Sequence, residues 1–329
     1  MHSTVQTFDA AGGERLDTFL GNALNEPRNQ VAQLIKSGCV VLDGKPAAKP
    51  GIKLKAGQQI AVTLPEMEPE AAQPIDFDVP ILYEDDDLLV IDKPSGLTVH
   101  PAPSVKEPTL VDWLKHHGIR LSTLSGEERH GIVHRLDKGT SGVMVVAKTN
   151  EAHDALSKQL QDKSMGRYYL AVVTPPLKED LTFVDKPVGR SPHNRLKMAV
   201  VPHGKAAQTL FKKLLLSPDE KQELIACKLF TGRTHQIRVH LESFSRHILG
   251  DHLYGIKSNP DKIQRILLHA YTLYFTHPRT GENVQYSAPL PPEFAQWLQS
   301  HFDTETLDET LDPDRIGTLF DTDAPFQRL

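Results

Sequence analysis

One short polar stretch, residues 134–142, carries side chains that could do chemistry. It contains His134, Arg135 and Asp137, and a Thr-Ser pair and two glycines follow them. It lies between two short apolar segments, each of which is predicted to be a strand. Functional side chains are often mounted on connections of this kind, because a rigid scaffold holds both ends.

Residue types alone leave three kinds of site open for Asp137. Aspartate and histidine could bind a metal, but the 16 histidines are scattered and form no compact ligand motif. Asp137 could form a structural salt bridge with an arginine. It could also be a nucleophile or base that an arginine keeps ionised. A second polar cluster supplies the candidate partners, Arg233 and Arg238, beside His235 and His240.

Length and composition indicate a soluble protein of two or three domains, with 329 residues and 39% hydrophobic side chains. No apolar run reaches the roughly 20 residues that a membrane helix needs. The first residues lack a signal-peptide pattern, so we expect a cytoplasmic protein without membrane contact. The only cysteines, Cys39 and Cys227, are far apart and exclude a paired-cysteine zinc or redox motif. We expect both to be buried free thiols.

The net charge of −5 hides an uneven distribution. Residues 66–92 carry 10 acidic and no basic side chains, whereas residues 93–300 carry 28 basic and 19 acidic ones. Residues 301–329 carry 8 acidic and 2 basic side chains. A basic body can bind a polyanion such as RNA while the overall pI stays low, although a solvated surface without a partner would have the same composition.

Residues 14–65 are predicted to form a small separate module. Apolar residues recur at helical spacing in two segments, and a strand, an Asp-Gly turn and a closing strand follow. This order, with basic side chains around it, resembles the small RNA-binding domain first described in ribosomal protein S-four. The resemblance implies that Arg28 and Lys36 contact RNA.

The rest of the chain is predicted to divide into three parts. Residues 66–80 are rich in proline and acidic residues and are predicted to be a linker. Residues 81–302 alternate many strands with few helices, which indicates an α+β domain with a mixed, mainly antiparallel sheet. Residues 303–329 are acidic with little periodicity, and we expect a loosely held tail. Within the domain, Arg190, Arg195 and Lys197 belong to a basic group without a nearby acid in sequence, which suits phosphate contacts.

Residues 134–142 resemble the defining His-Arg-Leu-Asp-x-x-Thr-Ser-Gly motif of the RluA/RluD-type pseudouridine synthases. Five further segments resemble motifs of that family in the expected order. These are residues 92–101, 167–171, 231–240, 249–255 and 268–270. With the N-terminal module, the resemblance covers residues 14–300 and is to the RluD-like branch.

This resemblance implies an isomerase that converts uridine in RNA to pseudouridine. The uracil detaches from the ribose, turns while bound and reattaches through carbon, so neither a cofactor nor a metal is expected. Asp137 would be the catalytic nucleophile and Arg238 its partner. Arg233 is the alternative partner, although an alternating strand would place the two arginines on opposite faces. Tyr169 would stack on the uracil, and Ile237 would help to close the pocket.

The remaining assignments concern how RNA is held. The target base must leave the RNA stack, and Arg135 could fill the vacated space or contact a phosphate. Arg233 would bind RNA or support its loop, and His134 would orient the loop or the RNA. The resemblance implies large-subunit ribosomal RNA as the substrate, with precursor particles as possible partners. A tRNA substrate and a non-catalytic RNA-binding or ribosome-assembly factor are the alternatives, and we expect a monomer.

Overall fold

A computed structural model of the chain divides into two compact units, residues 1–74 and 75–329. It describes residues 4–24, 28–64, 75–102, 105–124, 126, 129–255, 263–321 and 327–329. The division falls inside the predicted linker, of which residues 66–74 lie outside the described part.

The first unit is an antiparallel sheet with two helices, as its apolar spacing predicts. In its described residues the strand order is β1-β4-β2-β3. Its elements are β1 (Thr4–Asp9), α1 (Leu16–Ala23), α2 (Arg28–Lys36), β2 (Val40–Leu42), β3 (Lys45–Pro46) and β4 (Gln59–Leu64). Leu16 and Leu20 of α1 share one core with Val31 and Ile35 of α2. Strand β1 was not predicted, and it extends the module towards the N-terminus by pairing with β4.

The second unit is an α+β domain with many strands, as predicted. Its strands are β5 (Ile81–Glu84), β6 (Leu88–Lys93), β7 (Ser141–Ala147), β8 (Gly166–Thr174), β9 (Leu181–Asp185), β10 (Val188–Arg190), β11 (Met198–Val200), β12 (Gln208–Leu216), β13 (Glu223–Leu229), β14 (His247–Ile248), β15 (Leu268–Thr276), β16 (Asn283–Ser287) and β17 (Gln327–Arg328). Its helices are α3 (Leu110–His116), α4 (Asn150–Asp162), α5 (Gln236–Glu242), α6 (Pro292–His301), α7 (Thr304–Thr310) and α8 (Pro313–Ile316).

One large sheet organises this domain. Its order in the described residues is β17-β9-β12-β13-β8-β15-β7-β6-β5, with β14 added beside β8 and β16 beside β15. Pairing is antiparallel except between β15 and β7 and between β17 and β9. Strands β10 and β11 form a separate hairpin. The mixed, mainly antiparallel sheet that the sequence predicts is therefore confirmed.

Strand β8 lies between two hydrophobic cores, because successive side chains of a strand point to opposite faces. Tyr169 and Ala171 belong to the core that also contains residues of α3 and α4. Tyr168 and Leu170 belong to a second core, which α6 and the following helices cover. A central strand buried on both faces gives the residues at its ends a rigid mount.

The C-terminal segment differs from its prediction. In the described residues, α7, α8 and β17 hold it to the domain, and Leu307 and Phe320 are buried in the second core. The expectation of a loosely held tail is therefore wrong for these residues. Its acidic side chains partly serve as helix caps: Asp303 accepts the Glu305 N–H, a bond that starts α7. Acidic composition here marks helix starts as well as solvated surface.

The two cysteines differ in environment. Cys227 on β13 is fully buried, as predicted, whereas Cys39 is half-buried. Burial raises the pKa of the Cys227 thiol far above its ordinary value. No helix of the described residues is both long enough and apolar enough to span a bilayer.

Candidate active site

Asp137 lies on a tight turn that the end of β6 holds in place. Its carbonyl accepts the Thr140 N–H at 3.0 Å. The Gly96 N–H donates to the Lys138 carbonyl at 2.7 Å, and Ser95 Oγ donates to the Gly139 carbonyl at 2.7 Å. The shape of the motif therefore depends on contacts with residues 95–96, which lie about 40 residues earlier in the chain. The expected strand before it is reduced to a single bridge, in which Ile132 pairs with Val146.

Gly142 allows the end of this motif to enter the sheet. It pairs with Ala270 where β7 runs parallel to β15, and its φ is +119°. A Cβ atom at this position would lie 2.1 Å from the Ala270 carbonyl oxygen. Only glycine combines this backbone conformation with so close an approach.

Arg238 is the arginine that the structure brings to Asp137. Its Nη1 atom lies 3.6 Å from Asp137 Oδ2. Its Nε and Nη2 atoms donate to both oxygens of Asp251, at 2.7 and 2.8 Å. Asp251 is itself fixed by the backbone N–H groups of Leu253 and Tyr254, each at 3.0 Å. The bidentate pair leaves one edge of the guanidinium directed at Asp137.

The charges of this group support one another. Burial alone would raise the pKa of Asp251, but the hydrogen bonds and charge of Arg238, together with the backbone N–H groups of Tyr254 and Leu253, lower that pKa. Burial would likewise lower the pKa of Arg238, but Asp251 and then Asp137 raise it. A permanently charged arginine therefore lies beside the carboxyl group of Asp137, an arrangement that suits a nucleophilic or basic carboxylate.

The segment that carries Arg238 is helical, so the alternating strand that would have separated Arg233 from Arg238 is not present there. Gln236 explains the change, because its buried side chain accepts the Arg233 N–H at 2.9 Å and donates to Thr209 Oγ1 at 2.9 Å. The turn into α5 passes through His235, whose φ is +57°. Arg233 stays in the loop before the helix, where its Nε donates to the Ala206 carbonyl at 3.0 Å.

His235 is a second group beside Asp137. Its Nε2 lies 3.9 Å from Asp137 Oδ2, and its Nδ1 lies 2.8 Å from the Tyr254 hydroxyl. The Tyr254 oxygen accepts the Met198 N–H at 2.6 Å, so its own proton can be donated to His235 Nδ1. Burial lowers the pKa of His235, although Asp137 opposes this effect. With Tyr254 donating to Nδ1, a neutral His235 carries its proton on Nε2, facing Asp137.

Apolar and aromatic side chains form part of the wall of the cavity of about 60 Å³ that contains Asp137. Tyr169 and Ile237, both predicted for this site, line it and are each 4% exposed. Burial raises the pKa of Tyr169, although the neighbouring Arg167 acts in the opposite direction. Tyr169 is therefore a neutral phenol in the wall of the cavity. Tyr168 points into the core on the other face of the sheet.

His134 is buried behind this cavity rather than in it. Its Nε2 accepts the Val145 N–H at 3.2 Å, which ties the motif to β7. Its Nδ1 lies 3.3 Å from Nη1 of Arg167. Arg167 lines the cavity. It belongs to the motif at residues 167–171, but no role was predicted for it. In the sequence, the only sign of such a role was a basic residue two positions before Tyr169. Arg135 is exposed and also lines the cavity.

Lys93 is a buried ammonium group behind the same turn. Its Nζ donates to the carbonyls of Pro94 and Leu97, at 2.7 and 2.9 Å. Burial lowers the pKa of Lys93 to about 7, although the nearby Asp137 acts in the opposite direction. Sequence reasoning gave this lysine no role, because nothing in a Lys-Pro pair indicates burial.

The predicted RNA-contacting residues belong to both units. Arg190 and Arg195 are exposed on the hairpin β10–β11 and its turn. Lys197 has an acidic neighbour after all, since it lies 3.5 Å from Glu242 of α5. Lys36 is exposed at the end of α2, whereas the side chain of Arg28 lies outside the described residues. RNA contact by these residues remains a prediction.

The run of acidic residues at 85–87 has structural partners. Asp85 accepts a hydrogen bond from His277 Nε2 at 2.7 Å, and Asp87 pairs with Arg279. Among the described residues, no three His, Cys, Asp or Glu side chains are placed to hold a metal ion together.

Comparison with known proteins decides the family. A family model described as RNA pseudouridylate synthase matches residues 87–243, and one described as S4 domain matches residues 14–60. An uncharacterized RNA pseudouridine synthase of Helicobacter pylori strain J99 is 46% identical over 313 residues, which cover 93% of this chain and 96% of that protein. The chain belongs to the RNA pseudouridine synthase family. This pseudouridine synthase is therefore an isomerase that acts on RNA, and the predicted N-terminal RNA-binding module is confirmed.

Other relatives agree with this pseudouridine synthase in length and fold. Ribosomal large subunit pseudouridine synthase D of Zymomonas mobilis is 39% identical over 293 residues, covering 85% of this chain and 92% of the relative. Human RNA Pseudouridylate Synthase Domain Containing 4 has a TM-score of 0.52 at 26% identity, covering 67% of this chain and 92% of that structure. Human RNA Pseudouridylate Synthase Domain Containing 1 has a TM-score of 0.55 at 23% identity, over 74% and 97% of the two chains, and shares the fold.

Proposed function

We propose that this pseudouridine synthase isomerises specific uridines of large-subunit ribosomal RNA, with Asp137 as the catalytic nucleophile. The choice of RNA is supported by relatives named ribosomal large subunit pseudouridine synthase D, at 39% and 41% identity over most of the chain. Such a substrate would place the protein in the cytoplasm. Precursor particles of the large subunit are then natural partners.

The observation that carries the catalytic assignment is the position of Asp137. Its carboxylate lies 3.6 Å from Arg238, and Asp251 fixes Arg238 from the other side. A carboxylate in a partly buried pocket is less solvated than one on an open surface, which favours its reaction with a nucleoside. Arg238 places a positive charge beside that carboxylate and acts through Asp137.

The reaction needs no group from outside the RNA. The bond between N1 of uracil and C1′ of the ribose breaks, and a bond between C5 and C1′ forms. The proton that C5 carried is lost, and N1 gains one. The phenol of Tyr169 would stack against the uracil while it turns, and Ile237 would limit its movement. Base–aromatic stacking contributes about 1–3 kcal/mol per base.

The position of the cavity supports a flipped-out target base. Tyr169 and Ile237 in its wall are almost fully buried, so a base inside an RNA stack does not reach Asp137. Extrusion costs a few kcal/mol, and Arg135 at the exposed mouth of the cavity can fill the space that the base leaves. Arg233 in the neighbouring loop, with Lys36 and the hairpin arginines, would contact phosphates.

An Asp137→Asn variant tests the assignment directly. Pseudouridines are mapped in total RNA from cells that carry the wild type, the variant or no copy of the gene. We expect Asp137→Asn to match the deletion while the purified variant binds the same RNA with unchanged affinity. Asp154→Asn, an exposed residue on α4, is the control and should match the wild type.

Three other outcomes would each contradict part of the proposal. Pseudouridine formed by purified Asp137→Asn would remove the catalytic role of Asp137. A gene-dependent pseudouridine in tRNA but not in ribosomal RNA would reassign the substrate. Restoration of growth by Asp137→Asn in a deletion strain with a growth defect would favour a non-catalytic assembly role.

A further inference from the structure

A second cavity of about 510 Å³ lies beside the cavity that contains Asp137. The two share a wall formed by Arg135, Arg167, Leu229, Gly232 and Arg233. Neither the family assignment nor the proposed chemistry uses this second space, which we call the side cavity.

Two buried polar atoms in the lining of the side cavity have no hydrogen-bond partner among the described residues. They are Nδ1 of His100 and Nε of Arg167, and each residue is only 7% exposed. Most buried polar groups in folded proteins are paired, so two unpaired ones in the lining of one cavity call for an explanation. A ligand that accepts hydrogen bonds would supply it.

Both unpaired atoms are donors. Arg167 Nε always carries a proton. Arg135 Nη1 can only donate to His100 Nε2, 3.5 Å away, so neutral His100 carries its proton on Nδ1. Burial, assisted by Arg135, lowers the pKa of His100 to about 4 and keeps the ring neutral near pH 7.

His134 adds a third donor that lacks an acceptor. Its two ring nitrogens face the Val145 N–H and Nη1 of Arg167, and both of these groups are donors. A neutral imidazole carries a proton on one nitrogen, so at one of these two contacts an N–H group of His134 faces another N–H group. An acceptor placed near Arg167 would draw its guanidinium away and relieve this contact.

The rest of the lining suits a flat, largely apolar group. Met165 and Leu229 line the side cavity, and the aromatic ring of Phe230 is half-buried there. Lys163, which is exposed, and the partly exposed Arg233 supply positive charge at its edge. Hydrogen-bond donors, an aromatic ring and cations at the edge are together the features that hold a nucleotide.

We propose that the side cavity binds the base of a nucleotide next to the target uridine, with its phosphate at Lys163 and Arg233. The shared wall means that one RNA strand can place neighbouring bases in the two cavities. The inference rests on the proposed function, because it needs an RNA substrate whose target base enters the Asp137 cavity.

Removal of single bases from the RNA tests the proposal. The substrate is an oligonucleotide that contains a mapped target uridine, and each neighbouring nucleotide in turn is made abasic. For the wild type we expect one neighbour whose loss raises KM about 10-fold and changes kcat little, the size expected for one stacked base. In His100→Ala and in Phe230→Ala, KM for intact RNA should rise by a similar factor, and the abasic change should then have no further effect.

His153→Ala is the matched control. His153 is as buried as His100, at 7% exposure, but it lies on α4 and does not line the side cavity. It should keep the full abasic penalty of the wild type. If no neighbour shows a penalty, or if the penalty is unchanged in both His100→Ala and Phe230→Ala, the side cavity does not bind a base.

A binding measurement separates this proposal from the proposed function. Asp137→Asn protein is mixed with RNA that carries 2-aminopurine at the sensitive neighbour. Fluorescence should rise on binding, because the base leaves its stack, and the rise should be lost in the Asp137→Asn, His100→Ala double variant. Wild-type protein that forms no pseudouridine would overturn the proposed function. If the wild type is active but the fluorescence rise is the same in Asp137→Asn and in the double variant, the proposed function stands and the side cavity does not bind this base.

Discussion

Nη1 of Arg238 lies 3.6 Å from Oδ2 of Asp137, on the one edge of the guanidinium that Asp251 leaves open. Arg238 is therefore held by a partner that does not face the substrate. The side chain of Asp251 is 1% exposed and that of Asp137 is 18% exposed. The buried carboxylate fixes the arginine, and the more accessible one remains available for chemistry.

Asp251→Ala should destabilise the protein and lower kcat. The change leaves Arg238 and two backbone N–H groups buried without their acceptor, and removing one partner of a buried ion pair costs about 3–5 kcal/mol. Urea unfolding measures the loss. Asp219→Ala, which removes an exposed carboxylate paired with Lys221, should cost about 0–1 kcal/mol. Equal losses for the two variants would contradict the central role of Asp251.

Lys93 should make stability depend on pH in the neutral to basic range. Burial lowers its folded-state pKa from 10.5 to about 7, so between those values the unfolded chain binds a proton that the folded chain does not. The free energy of unfolding should therefore rise with pH there, by up to about 1.4 kcal/mol per unit. Lys93→Met lacks this titration, so the difference between wild type and variant should increase from pH 7 to pH 9. Parallel curves would show that Lys93 titrates normally.

Gly142→Ala should unfold or severely weaken the catalytic domain. A Cβ atom would meet the Ala270 carbonyl at 2.1 Å in a backbone conformation with φ of +119°, and strain and overpacking together cost about 3 kcal/mol or more. Gly281→Ala is the control, because Gly281 has a φ of +73° but nothing within 4 Å of the added atom. That variant should lose only about 1–2 kcal/mol. Thermal unfolding compares the two.

Phe320→Ala should destabilise the domain by about 3 kcal/mol, since the ring is 8% exposed and stacks on Tyr168 at a centroid distance of 5.3 Å. Leu124→Ala, at a residue that is 57% exposed, should change stability by less than about 0.5 kcal/mol. Chemical denaturation of both variants provides the measurement. A loss near zero for Phe320→Ala would mean that the C-terminal segment is as loosely held as its composition suggests.

The residues of the site that could be predicted were those that belong to short local sequence motifs. Asp137, Tyr169 and Ile237 were predicted, and the structure brings them to one cavity. Arg238 was chosen over Arg233 as the partner of Asp137, and the structure places it 3.6 Å from that residue, but the supporting argument from an alternating strand fails because the segment is helical. The helix depends on hydrogen bonds from Gln236 to partners about 28 residues away, which local periodicity does not contain.

The unpredicted parts depend on tertiary contacts. Asp251 was quoted in a motif, yet its bond to Arg238 becomes visible only when the loop after β14 folds back onto α5. The buried state of Lys93 likewise follows from the packing around β6. Acidic composition concealed the C-terminal helices, because α7 and α8 are only 7 and 4 residues long and each is too short to show a sustained apolar period.

The buried thiol of Cys227 has a practical consequence. It pairs in register with Tyr169, so it lies at the strand that supplies the aromatic wall of the site. A fully buried thiol with a raised pKa is protected from alkylating and oxidising reagents while the sheet stays closed. The half-buried Cys39 in the other unit should react sooner. The rate at which a thiol reagent modifies Cys227 therefore reports how often the catalytic sheet opens, without any added label.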